Sequence, residues 1–197
     1  MTDTKSLFTV KALTRIAVLG ALAGVLEALN FPLPFMPPWL SLDFSEIGPL
    51  MGTFAMGPLA GTVIELIKNA IKILISGSFT GGVGELGNFM MGAAYVIPAG
   101  LIYAREHTRK GAVKGLAVGV VSATAVSVLL NYLLLMPMYG SLMGLDLVAI
   151  MSSVNPAADS LLSIALLGVL PFNLIKFTAV SAITMLVYKP LSPLLKV

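Results

Sequence analysis

An amide and an ammonium group stand three residues apart in Pro171-Phe-Asn-Leu-Ile-Lys-Phe177, inside an otherwise apolar run from Leu161 to Tyr188. On a helix, Asn173 and Lys176 share one face, where they direct an amide and up to three ammonium N–H donors the same way. A lysine at the centre of a membrane helix costs roughly 2.5 to 3.5 kcal/mol, so its presence there marks a candidate functional site. The chemistry on offer is recognition of a polar ligand by hydrogen bonds. The rest of the chain must supply the elements that hold this face against a partner.

Composition says where those elements lie. The 197 residues suit one domain, read here as spanning 1–197, but 57% of them are hydrophobic and only 11% charged, and the mean hydropathy is +0.97. These are the figures of an integral membrane protein. Apolar runs recur along the whole length, so the first is expected to stay as a membrane span and not to be cleaved as a signal peptide. The absence of cysteine removes disulfide and thiolate chemistry. The net charge of +3 does not point to nucleic acid, because the basic residues sit at segment ends and form no single patch.

Apolar periodicity and breakers predict an all-α fold of six transmembrane helices. The first runs from about Val10 to Leu29. Phe31 to Trp39 holds four prolines and must be a loop. A short second helix covers about Phe44 to Met56, and Gly57-Pro58 breaks the chain before a third from Leu59 to about Ser76. Residues 77–84 form a glycine-rich connector. The fourth helix spans about Glu85 to Ala104, the fifth Gly115 to about Met136, and the sixth about Asp159 to Tyr188 after a looser stretch from Pro137 to Pro156. The N-terminal tail carries three Lys or Arg, the turn between the fourth and fifth helices four and the C-terminus two, which accounts for nine of the twelve. The positive-inside rule therefore puts both termini in the cytoplasm. The remaining three, Lys68, Lys72 and Lys176, lie within spans.

Depth measured from the basic edge brings the amides together. Asn88 lies 17 residues from Arg105, Asn131 lies 17 from Lys114 and Asn173 lies 16 from Lys189, which places all three roughly 24 to 26 Å from that edge, in the outer half of the membrane. Glu85, Asn88 and Tyr95 share a face, as do Thr124, Ser127 and Asn131. Turned inward, these faces line one pocket; turned to neighbours, they are interhelical hydrogen bonds of about 0.6 kcal/mol each. The apolar loop with Trp39 and Leu40 reads either as an interfacial anchor or as a lid over a ligand. On the third helix, Glu65 is placed to neutralise one of Lys68 and Lys72, and Glu85, Asp43 or Glu46 the other.

Other signals exclude chemistry. No phosphate-binding G-x-x-x-x-G-K-[ST] occurs, and the single His107 with no cysteine gives poor support for a transition metal. An intramembrane enzyme would need an acid/base or metal constellation, and Glu65 and Glu85 have no histidine or second carboxylate at fixed helical spacing. On the first helix, Ala17 and Ala21, and also Gly20 and Gly24, have the small-xxx-small spacing that lets a helix approach closely, either within the protein or from a partner.

Taken together, Leu42-Asp-Phe-Ser-Glu-Ile-Gly-Pro49, Phe54-Ala-Met-Gly-Pro-Leu-Ala-Gly61, Glu65-Leu-Ile-Lys-Asn69, Thr80-Gly-Gly-Val-Gly-Glu-Leu-Gly-Asn-Phe89 and Pro171-Phe-Asn-Leu-Ile-Lys176 resemble the riboflavin-specific S component of energy-coupling-factor (ECF) vitamin transporters. The resemblance implies a multi-pass plasma-membrane subunit that is not an enzyme, needs no cofactor and works with a transmembrane coupling protein and two cytoplasmic ATPases. It implies that Asn131, Asn173 and Lys176 hydrogen-bond riboflavin beneath the first loop, and the shared faces and the apolar loop add Asn88, Glu85, Tyr95, Ser127, Leu40 and Trp39 to the expected site. It further implies that Ala17 and Ala21 dock on the coupling protein. Phe177 stands where the resemblance leads one to expect a small residue. Related vitamins divide by charge: cationic thiamine should avoid Lys176, and the carboxylate of pantothenate should seek it.

Overall fold

A computed structural model describes residues 9–33, 36–37, 39–78, 80–144 and 146–195. Lys5 and Lys196 of the charge count, Pro34, Phe35 and Pro38 of the apolar loop, and Phe79 of the glycine-rich connector lie outside these.

Helix α1 covers Val10–Ala28, and its N-cap Thr9 accepts a hydrogen bond from the Ala12 amide. Its buried stripe of Ile16, Leu19, Gly20, Ala23, Gly24 and Glu27 repeats at three and four residues and faces α3. The glycines permit that approach: a Cβ on Gly20 would stand 2.5 Å from Ile67 Cγ2, and one on Gly24 2.6 Å from Ile71 Cγ2. The loop that follows is not wholly irregular. Phe31–Pro32 (β1) pairs antiparallel with Ser41–Leu42 (β2), which adds a short hairpin to a fold expected to be purely helical. Leu40, Val169 and Phe172 form a small apolar cluster that seats the loop on the bundle.

Helix α2, Ile47–Met56, starts three residues later than its hydropathy suggests. The Asp43 carboxylate accepts from the Ser45 amide at 2.9 Å and from its hydroxyl at 2.5 Å, and such a local turn competes with helix. Gly57 has φ 98°, and Pro58 opens α3, Pro58–Ser76. Gly77, Gly81 and Gly82 all have positive φ, so the connector turns sharply into α4, Val83–Glu106. Helix α5, Arg109–Leu130, is capped by Thr108. It does not stop at Met136. A π turn at Asn131–Leu135 carries it into α6, Met136–Met143, and Pro137, which has no amide hydrogen to donate, stands just after that turn. The segment expected to be loose contains α6 and also α7, Leu147–Val154. A Ser160–Ser163 capping box starts α8, Leu161–Ile164, and a second π turn, Ala165–Val169, joins it to α9, Leu170–Leu195.

Among the described residues, three helical stretches are long and apolar enough to cross a membrane: Val83–Glu106, Arg109–Leu142 and Leu161–Tyr188. Between them and α2 lies a core of Leu50, Phe54, Tyr95, Val96, Leu116, Val120, Phe177 and Val180.

Candidate functional site

A cavity of about 590 Å³ opens among α1, α3, α4, the α5–α6 junction and α9, with the apolar loop along its rim. Its volume falls within the range of small-molecule sites. Asn88, Asn131, Asn173, Lys176, Glu85, Trp39 and Leu40 all line it. Tyr95 and Ser127 do not. Tyr95 follows Asn88 by seven residues on the same face but lies two turns deeper, where its hydroxyl donates to the Phe177 carbonyl at 2.9 Å and meets Ser181 Oγ at 2.6 Å. Ser127 is fully buried one turn beneath Asn131. A shared face fixes direction but not depth.

The two π turns bear on the asparagines. Asn131 opens the first, and its Nδ2 donates to the Ser127 carbonyl at 2.9 Å; Asn173 follows the second, and its Nδ2 donates to the Val169 carbonyl at 2.8 Å. Asn88 Nδ2 donates to Glu27 Oε1 at 2.7 Å. Each amide thus spends a donor on the protein, which fixes its orientation. Asn131 Oδ1 is buried and accepts no hydrogen bond within the protein, so this acceptor is left unsatisfied.

Charge around the cavity is matched in pairs. Lys176 Nζ lies 2.7 Å from Asp43 Oδ2, and Lys72 Nζ lies 2.6 Å from Glu85 Oε1, whose second oxygen accepts from Ser78 Oγ at 2.6 Å. Burial alone would push the Asp43 carboxyl up, but Lys176, Lys68 and the hydrogen bonds from Lys176 and Ser45 outweigh it and hold the group below the usual carboxylate range. Beneath this layer, Lys68 Nζ contacts Glu46 Oε1 at 2.6 Å and Glu65 Oε2 at 2.8 Å. Both lysines of α3 are therefore neutralised by the acids that spacing suggests, while Asp43 is taken by Lys176.

Sequence reasoning missed Glu27, Asp43 and Lys72 as cavity residues. Glu27 carried a signal, since it continues the Gly20, Gly24 stripe toward the pocket, and its Oε2 is buried without a partner. The Trp39 ring lies 6.3 Å from that of Tyr139 on α6, so the loop closes against the α5–α6 side of the cavity. Phe177 packs its ring 4.8 Å from that of Tyr95 and also lines the cavity, so the large side chain forms part of the boundary between core and pocket. The small pairs on α1 separate: Gly20 and Gly24 are buried against α3, while Ala17 and Ala21 are exposed on another face.

Residues 11–188 match the family described as ECF transporter, substrate-specific component. The chain is 37% identical over 186 residues to the riboflavin transporter RibU of Staphylococcus aureus, covering 94% of this chain and 93% of the relative. It is 34% identical over 187 residues to the riboflavin transporter FmnP of Bacillus subtilis, covering 93% of each. Among solved structures, one described as "Structure and mechanism of the S component of a bacterial ECF transporter" superposes with a TM-score of 0.73 at 34% identity, over 94% of this chain and 97% of that one.

Proposed function

The chain belongs to the substrate-specific components of ECF transporters, and on that premise we propose that it is the riboflavin-binding subunit of such a transporter, a membrane protein and not an enzyme. The observation that carries the reading beyond the family is the cavity itself: three asparagines from three helices and Lys176 meet in it, with Trp39 and Leu40 at its rim. An isoalloxazine ring suits the apolar walls, and its imide N–H and the ribityl hydroxyls are donors for the Asn131, Asn173 and Asn88 oxygens. The ring carbonyls and ribityl oxygens accept from Lys176. Tyr95 and Ser127 support this shell from below. Glu85, paired with Lys72, holds the mouth of the cavity against the glycine-rich turn.

The pairing of charges also favours a neutral ligand. Lys176 and Lys72 are each matched by a carboxylate, and Glu27 adds another. The lining offers no surplus positive charge for the carboxylate of pantothenate.

In this reading α1, α2 and α3 complete a six-span bundle in the plasma membrane with both termini cytoplasmic, and the cavity lies in its outer half. The exposed Ala17 and Ala21 face docks on a transmembrane coupling protein that works with two cytoplasmic ATPases. Binding is tested by purifying the protein in detergent and titrating it with riboflavin: a co-purifying yellow chromophore and saturable calorimetric binding are expected, and their absence defeats the assignment. Docking is tested by Ala17→Trp, which should abolish riboflavin uptake by cells while the purified protein keeps its affinity. Equal loss of both would place that face inside the subunit.

A further inference from the structure

Below the cavity the ionic groups do not balance. Among the described residues, Asp43 and Glu85 are matched one to one by Lys176 and Lys72, which leaves Glu27, Glu46 and Glu65 with Lys68 alone. Lys68 and Glu65 are fully buried, and Glu46 is 1% exposed. Lys68 takes one oxygen of each acid, Glu46 Oε1 and Glu65 Oε2. Glu46 Oε2 and Glu65 Oε1 are buried and meet no donor, and Glu65 Oε2, though 2.8 Å from Lys68 Nζ, accepts no hydrogen bond either. The two carboxyls are neighbours, because both close on the same Lys68 Nζ, at 2.6 and 2.8 Å. Two carboxylates have four acceptor oxygens and nothing to donate, and the single Lys68 ammonium balances only one of them, so ionising both would leave an unmatched anion out of water.

The surrounding elements do not repair this. From α1, Glu27 is turned to Asn88 of α4. From the loop and α9, Asp43 and Lys176 are engaged with one another. From α4, Gly92 sets bare backbone against Glu65; a Cβ there would fall on the Glu65 carboxyl itself.

We propose that Glu46 and Glu65 share one bound proton, making the cluster beneath the cavity a proton site. A proton converts one carboxyl into a donor for the other, satisfies the orphaned oxygens and leaves a single anion opposite Lys68. A metal cation would have to sit beside the Lys68 ammonium, at the same oxygens, and be repelled by it. The site joins the start of α2 to the middle of α3, and its proton does not depend on which vitamin fills the cavity above.

Infrared spectroscopy of the protein in lipid nanodiscs at neutral pH reads the C=O stretch of protonated carboxyl groups. The wild-type protein should show such a band, and both Glu46→Gln and Glu65→Gln should remove it, since each leaves one carboxylate for Lys68 and supplies an amide N–H where the proton was. Glu27→Gln should leave the band in place. In thermal unfolding each single variant should melt close to wild type, and the double variant Glu46→Gln/Glu65→Gln should melt lower, because Lys68 then has no anion. The proposal is overturned by a wild-type protein with no protonated carboxyl, by loss of the band in Glu27→Gln alone, by single variants as unstable as the double, or by a melting temperature set by sodium at constant ionic strength.

Discussion

Lys68 and Lys176 are both buried ammonium groups beside carboxylates, yet one belongs to the frame and the other to the site. Lys68 has a fully enclosed side chain held by two acids, whereas Lys176 is 10% exposed, has one acid and lines the cavity. An ammonium has three donors. Closed in between two carboxylates, Lys68 has nothing to offer a ligand, while Lys176 spends one donor on Asp43 at the cavity wall. Residue type and burial are nearly the same, so the number of protein partners and the opening to the cavity separate structure from recognition.

The largest effect expected from this contrast is at Lys68. Lys68→Met strips the cation from two buried carboxyls, and breaking a buried pair by removing one partner costs about 3 to 5 kcal/mol. Thermal unfolding in detergent should show a large drop in midpoint, with riboflavin affinity of the still-folded fraction little changed. A stable Lys68→Met protein with lost affinity would reverse the roles given to the two lysines.

Lys176→Met should come second and should act on both properties. Loss of a charged donor weakens riboflavin binding by about 1.5 to 3 kcal/mol, and the empty protein is also destabilised, because Asp43 is left buried with its charge unmatched. The sequence alone argues the opposite sign for stability, since it shows a lysine in an apolar run and gives no hint of an acid 133 positions away. Adding Asp43→Asn should restore the melting temperature and leave affinity low. Recovery of both would reduce the pair to a structural tie.

What could be read before the fold follows the same divide between local and distant. The convergence of Asn88, Asn131 and Asn173 was legible, because helical rise counted from a basic edge brings them to one level, and all three line the cavity. So was neutralisation of Lys68 and Lys72 by nearby acids. Asp43 as the partner of Lys176 was not, because it depends on how the loop folds back on α9. Tyr95 and Ser127 were drawn into the pocket by face alone, when their depth puts them in the supporting layer. The π turns at Asn131 and before Asn173 leave no pattern in the apolar periodicity, so the helix boundaries there could not be placed.

The amides sharpen the comparison at a smaller scale. Asn131→Ala and Asn173→Ala should each cost about 1 to 3 kcal/mol of riboflavin affinity, since each leaves a desolvated ligand donor unpaired. Calorimetric titration checks this, and the melting temperature of the empty protein should fall less than for Lys176→Met. Unchanged affinity in both variants would mean that the asparagines only tie their own helices together.

The smallest effect is expected at the third lysine, which tests whether enclosure, and not the mere presence of an ion pair, sets the scale. Lys72 is the most open of the three, with 22% of its side chain exposed and a single carboxylate, Glu85, at 2.6 Å. Pairs that water can reach are worth about 0 to 1 kcal/mol, because both charges keep part of their hydration when separated. Glu85 is also less dependent on its lysine than Asp43 is, since Ser78 Oγ donates to its other oxygen and is itself held by the Gly82 amide at 2.8 Å. Lys72→Met should therefore lower the melting temperature slightly and shift riboflavin affinity by a few tenths of the Lys176→Met effect. Raising the ionic strength should narrow the gap between Lys72→Met and wild type while leaving that for Lys176→Met in place, because salt screens exposed pairs far more than buried ones. A Lys72→Met protein that loses as much affinity as Lys176→Met, with the same indifference to salt, would show that Lys72 touches the vitamin and that the ligand layer extends to the mouth of the cavity.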